Sequence, residues 1–139
     1  MGRSQREKGK RNERLAAKAF SRIFGVKASR TAQYRGRTGV ADLEISDQLH
    51  AEVKVRKSIA ACRYYEQAVR DCLKGAVPFV LMREDHGDWF LMVKLEDTKT
   101  LMDNIENARK AQPVEHDTRG AAPCSGDRDR RSLHDDREA

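Results

Sequence analysis

Long hydrophobic runs are missing from this 139-residue chain. None approaches the roughly 20 residues that a membrane-crossing helix needs, which excludes an integral helical membrane protein. The N-terminus is charged and has no apolar segment, so no secretory signal is expected. Arg6 stands where a myristoylation signal wants Ser or Thr. Cysteine is scarce and odd in number: Cys62, Cys72 and Cys124 are widely spaced and fit neither a disulfide framework nor a zinc-ligand pattern. A reducing cytoplasm is the expected compartment. Aromatic residues make up only 6% and there is no internal repeat. With 38% hydrophobic and 36% charged residues, the chain affords one domain with a small core.

What is abundant is positive charge, and it is concentrated. Residues 1–38 hold 12 Lys and Arg against 2 Asp and Glu, while the remainder of the chain is slightly acidic. Such a block suits a polyanion, either nucleic acid or an anionic membrane surface. It is equally the composition of a solvated helix face.

Hydrophobic periodicity gives the elements. Leu15, Ala16, Ala19, Phe20, Ile23 and Phe24 recur at helical spacing from about Asn12, with Gly25 as the stop and residues 1–10 frayed. Residues 28–35 read as a short polar strand, and Gly36 and Gly39 bracket a turn. The alternating runs 40–46 and 49–55 read as half-buried strands. Residues 58–74 read as a helix, with Ile59, Cys62, Ala68, Val69 and Leu73 on its apolar side and Cys62 and Cys72 as packed thiols. Two strands, 76–83 and 88–94, flank a Gly-containing turn, and 95–110 close with a helix carrying Leu101, Met102 and Ile105. The order is α-β-β-β-α-β-β-α. Residues 111–139 hold two of the three prolines and almost no large apolar side chain, so this tail is expected to be disordered and the folded domain to span 1–110.

The strands at 40–46 and 49–55 carry the chemistry. Their connection is too short for a crossover, so they form an antiparallel hairpin. A Ser46-Asp47-Gln48 loop sets Ile45 opposite Leu49 and Leu43 opposite Ala51, keeping the apolar faces together. The same register sets Asp42 opposite Glu52, with Lys54 two residues along on that face. Like charges so placed repel. A divalent cation between the carboxylates relieves the repulsion, and an open set of oxygen ligands suits Mg²⁺ or Mn²⁺. Alternatively, this is the wet face of an antiparallel sheet, where Asp, Glu and Lys are ordinary. On that face Glu44 reads as solvated rim and His50 as a surface histidine. Arg30, Gln33, Tyr34, Arg35 and Arg37 form a basic stretch with one aromatic that leads into Asp42. It suits phosphate and base contacts, or is a charged loop. Trp89 and Phe90 belong to the core or to a dimer surface.

Gly39-Val40-Ala41-Asp42, nine residues, then Glu52-Val53-Lys54 resembles the signature of the PD-(D/E)XK nuclease superfamily, with Ala41 where its proline is often found. Lys8-Gly9-Lys10-Arg11-Asn12-Glu13-Arg14 is similar to the N-terminal motif of archaeal-type Holliday junction resolvases and related phage nucleases. Tyr65-Glu66-Gln67-Ala68 resembles their glutamine-containing helix. The resemblance covers about residues 8–95 and implies an α/β fold with a restriction-endonuclease-like core, a central mixed sheet flanked by helices. It implies that Asp42, Glu52 and the Val53 carbonyl hold Mg²⁺, for which Mn²⁺ substitutes, with Glu13 completing the metal site. Lys54 then assists the attacking water, Gln67 orients substrate or water, and Lys8, Lys10 and Arg11 join the basic stretch in gripping DNA. The implied activity is endonucleolytic, on four-way junctions as a homodimer, in a bacterial or phage-infected cytoplasm. The alternatives are a repair or restriction-like nuclease and a non-catalytic DNA-binding protein of the same fold.

Overall fold

The computed structural model describes residues 2–32 and 39–112. Its elements are α1 (Arg3–Phe24), β1 (Ser29–Arg30), β2 (Leu43–Glu44), β3 (Leu49–Arg56), α2 (Ala61–Asp71), β4 (Val77–Glu84), β5 (Phe90–Met92), a 3₁₀ turn (Leu95–Asp97) and α3 (Thr98–Ala111). The five strands form one sheet in the order β1-β2-β3-β4-β5. Only β3 and β4 run parallel, and the crossover that a parallel pair requires is supplied by α2. The element order and the mixed sheet are those of a restriction-endonuclease-like fold, as expected.

The sheet is covered on both sides. On one side Ala16, Ala17 and Phe20 of α1 and Leu101, Ile105 and Ala108 of α3 pack on Leu43, Leu49, Ala51, Phe79 and Leu81. Small residues at 16 and 17 bring α1 close, so that Phe20 stacks on Phe79 at 5.8 Å between ring centroids. On the other side Ala68 and the half-buried Ala61, Tyr64 and Tyr65 of α2 pack on Val80 and Met82. Gly25 ends α1 in the left-handed conformation (φ 63°), and its N–H returns to the Ser21 carbonyl.

Several expectations shift. The first helix starts at Arg3, not near Asn12. Arg, Gln, Glu and Lys are good helix formers, a Lys10–Glu7 pair lies on the helix, and Lys8 reaches Asp85 at 3.4 Å. The strand expected over 40–46 narrows to Leu43–Glu44, yet Asp42 stays bonded on both sides. Its N–H donates to the Ala51 carbonyl and its carbonyl accepts from the Thr31 N–H. The helix expected over 58–74 is shorter, because Ala60 and Cys72 leave helical geometry. Cys62, Val69 and Leu73 are exposed and Cys72 half-buried, so the stripe that packs is built on Tyr64, Tyr65 and Ala68 instead. Met102 is likewise exposed. The last helix begins with a 3₁₀ turn and runs to Ala111. The rest of the polar tail lies outside the described residues.

Candidate active site

β3 is a central strand, so the polar face expected to be wet is in fact covered by α2. His50 and Glu52 are 4% and 3% exposed. The predicted hairpin register is the observed one: Leu43 pairs with Ala51. This brings Asp42 beside Glu52. Where β2 stops pairing, the Asp42 carboxylate takes over as acceptor, and its Oδ2 receives the Val53 N–H at 2.8 Å. In a strand a residue's N–H and C=O point to the same side. The Val53 carbonyl therefore opens toward Asp42 as well. Gly39 delivers the chain into this position at φ 85°, and a Cβ there would lie 3.3 Å from the Asp71 carbonyl oxygen at the end of α2.

Period-two alternation puts three polar side chains in a row along β3. Glu52 is held at both oxygens: His50 Nε2 lies 3.2 Å from Oε1 and Lys54 Nζ 3.8 Å from Oε2. A carboxylate only accepts, so Nε2 carries the proton of that bond. The electrostatic consequence falls on Asp42, whose pKa is pushed up from 3.8 to about 7. Burial is the largest cause, followed by the Glu52 charge and then Glu13; the Val53 N–H and Lys54 oppose it. Burial and two neighbouring carboxylates together disfavour the Asp42 anion, which is the electrostatic setting a divalent cation fits.

Glu13 on α1 lies near enough to add to that charge, but its Oε2 accepts from Arg30 Nε at 2.6 Å. Among the described residues no three Asp, Glu, His or Cys side chains converge tightly enough to form a closed metal cluster. Gln67 is half-buried on α2, the helix that covers the Glu52 face. Of the residues expected to grip DNA, Arg30 is thus tied to Glu13, Lys8 to Asp85 and Lys10 to Glu7, while Arg11 is exposed. Gln33, Tyr34, Arg35 and Arg37 lie outside the described residues. A pocket of about 200 Å³ opens beside His50, lined by Gly39, Ala41, Glu44, Leu73 and Ala76.

Two features are not evident from the sequence. His50, expected at the surface, is buried on the strand face that it shares with Glu52. Arg11, Arg14, Lys18 and Arg22 repeat at three- and four-residue spacing and are all exposed, forming a basic stripe on the side of α1 turned away from the sheet. Among the described residues no helix is long and apolar enough to cross a membrane.

No curated protein and no solved structure matches the chain. One family model does, over residues 4–121; its description is "Phage putative PDDEXK endonuclease". The match takes in nearly all of the described fold, and with it the chain belongs to the phage PDDEXK endonucleases, a nuclease family that acts on DNA and generally uses divalent metals.

Proposed function

We propose that this nuclease is a Mg²⁺-dependent endonuclease that hydrolyses DNA phosphodiesters as a structure-specific Holliday junction resolvase in the cytoplasm of the phage-infected cell. The observation that carries the reading is the pairing of half-buried Asp42 with buried Glu52, with Lys54 on Glu52. Asp42, Glu52 and the Val53 carbonyl would hold Mg²⁺, or Mn²⁺ in its place. Such an ion, when bound, supplies Lewis acidity toward the phosphodiester and the attacking water. Lys54 presents an ammonium where negative charge develops on the phosphoryl oxygens and orients the water. Glu13 acts beside this set, and its partner Arg30 is placed to pass to a phosphate oxygen when DNA arrives. Gln67 orients substrate or water from α2. Preference for a four-way junction rests on the similarity of the Lys8–Arg14 segment and the Tyr65–Ala68 segment to those of resolvases.

The test is cleavage of labelled four-way junction, flap, linear duplex and single-stranded DNA with Mg²⁺, Mn²⁺ or EDTA. Glu52→Ala and Lys54→Ala serve as controls. Paired symmetric nicks in the junction, lost with EDTA and with either substitution, are expected. Cutting of another substrate with the same dependence overturns the resolvase and keeps the nuclease. Salt-sensitive binding with no cutting of any substrate overturns the catalytic reading.

A further inference from the structure

Among the described residues β5 forms one edge of the sheet. Phe90 is 58% exposed there, on the same sheet face as Met92, which packs against the α2 cluster. The sequence around the strand reads Asp88-Trp89-Phe90-Leu91-Met92-Val93-Lys94. It is complementary to itself. Antiparallel pairing with a second copy, centred on Leu91, sets Phe90 opposite the second copy's Met92 and Asp88 opposite its Lys94, and two-fold symmetry repeats both pairs. Asp88 and Lys94 are both exposed; Lys94 pairs with Glu96 at 2.8 Å in the protomer, a solvent-exposed bond that it would exchange for, or share with, Asp88 of the second copy. A register centred one residue earlier would instead oppose Asp88 to Met92 and leave Lys94 facing His86. Charge and apolar surface therefore select one register together.

We propose that the chain forms a two-fold dimer by antiparallel β5–β5 addition, making one continuous ten-stranded sheet. The occupant of this edge is a second copy because an isologous contact needs a self-complementary patch, and this strand supplies one. The dimer has a geometric consequence. Glu52 lies in one cross-strand row with Val80 and Met92, and the row continues in the second copy through Phe90 and Met82 to Lys54. The two carboxylate sites thus lie on the same face of a twisted sheet, five strand spacings or about 24 Å apart along it. Symmetric cutting of two strands by those sites rests on the proposed function; the dimer itself does not.

Charged flanks can also guard an edge against pairing, and sedimentation of the full chain decides between the two. A dimer at micromolar concentration is expected. Asp88→Lys and Lys94→Asp each put like charges opposite one another at both ends and should each weaken the dimer about tenfold or more. Mixed in equal amounts, the two variants offer opposite charges at both ends and should recover a dimer that neither forms alone. Phe90→Lys, at an exposed position, should also dissociate it, with far-UV circular dichroism confirming the fold. A wild-type monomer at these concentrations overturns the proposal, as does a dimer indifferent to the substitutions and to mixing. Loss of the nuclease reading would appear in the cleavage assay and leave sedimentation unchanged, so the two failures are distinguishable.

Discussion

His50 and Asp42 are the two side chains whose surroundings most constrain what the site can do. His50 donates to a Glu52 that is almost wholly buried. Removing the donor leaves a buried carboxylate oxygen unsatisfied, at a cost of about 1–3 kcal/mol. His50→Phe should therefore lower stability by that amount in urea denaturation and reduce cleavage about tenfold, with His50→Gln recovering part of both because it keeps a donor. Equal activity for His50→Phe and wild type would show that Glu52 needs no such support. Asp42 titrates near 7 instead of 3.8, so the folded metal-free chain keeps a proton that the unfolded chain releases in that window. The contribution of this group to stability accordingly falls as pH rises from about 4 to about 7. Asp42→Asn keeps an oxygen for the Val53 N–H. It should raise the Tm of the metal-free protein near pH 8 and leave it nearly unchanged near pH 4. A difference that does not vary with pH would contradict the assignment.

α2 is the element that turns a half-open sheet into a buried site. It is also the crossover between the two parallel strands, so its packing sets both the sheet order and the cover over Glu52. Its contact is made through Ala68, which is completely buried against Val80 and Met82. A small residue there lets the helix axis lie close to the sheet. Ala68→Leu forces several extra methyl and methylene groups into that contact and should cost about 1–3 kcal/mol. Because the displaced helix carries Gln67 and covers Glu52, the cleavage rate should fall further than the same destabilisation placed in α3, for instance by Ala108→Val, would produce. Thermal melts paired with cleavage rates of both variants check this.

The whole molecule separates its charges as it separates its faces. Of the site's carboxylates Glu52 is buried and Asp42 half-buried, whereas Arg11, Arg14, Lys18 and Arg22 put positive charge on the outer side of α1. The stripe covers a little over three helical turns, about 16 Å of axis, enough to follow several phosphates. Binding should weaken linearly in log–log terms as salt rises. Substituting two of these four residues by Gln should reduce the slope by roughly 2 and weaken junction and duplex alike, since phosphate contacts carry no sequence or structure information. An unchanged slope would place the DNA contact elsewhere.

How much could be read without the fold follows from range. The element order, the hairpin and its register depend on neighbours in sequence. Period-two alternation and a three-residue loop force Leu43 onto Ala51, and so bring Asp42 to Glu52 before any other strand is known. The nuclease motifs were legible for the same reason, being spacings along one chain. Burial was not. Whether the His50–Glu52–Lys54 face is wet or covered depends on β4 pairing with β3 from the far side and on α2 closing over both. These contacts are long-range, and no local pattern encodes them. For that reason local pattern makes His50 a surface residue and Cys62 and Val69 core, and gives no sign of the bond between Glu13 on α1 and Arg30 on β1. Local periodicity determines which residues share a face. Only the packing of distant elements determines which faces lose their water, and it is that loss of water that makes Asp42 hard to ionise.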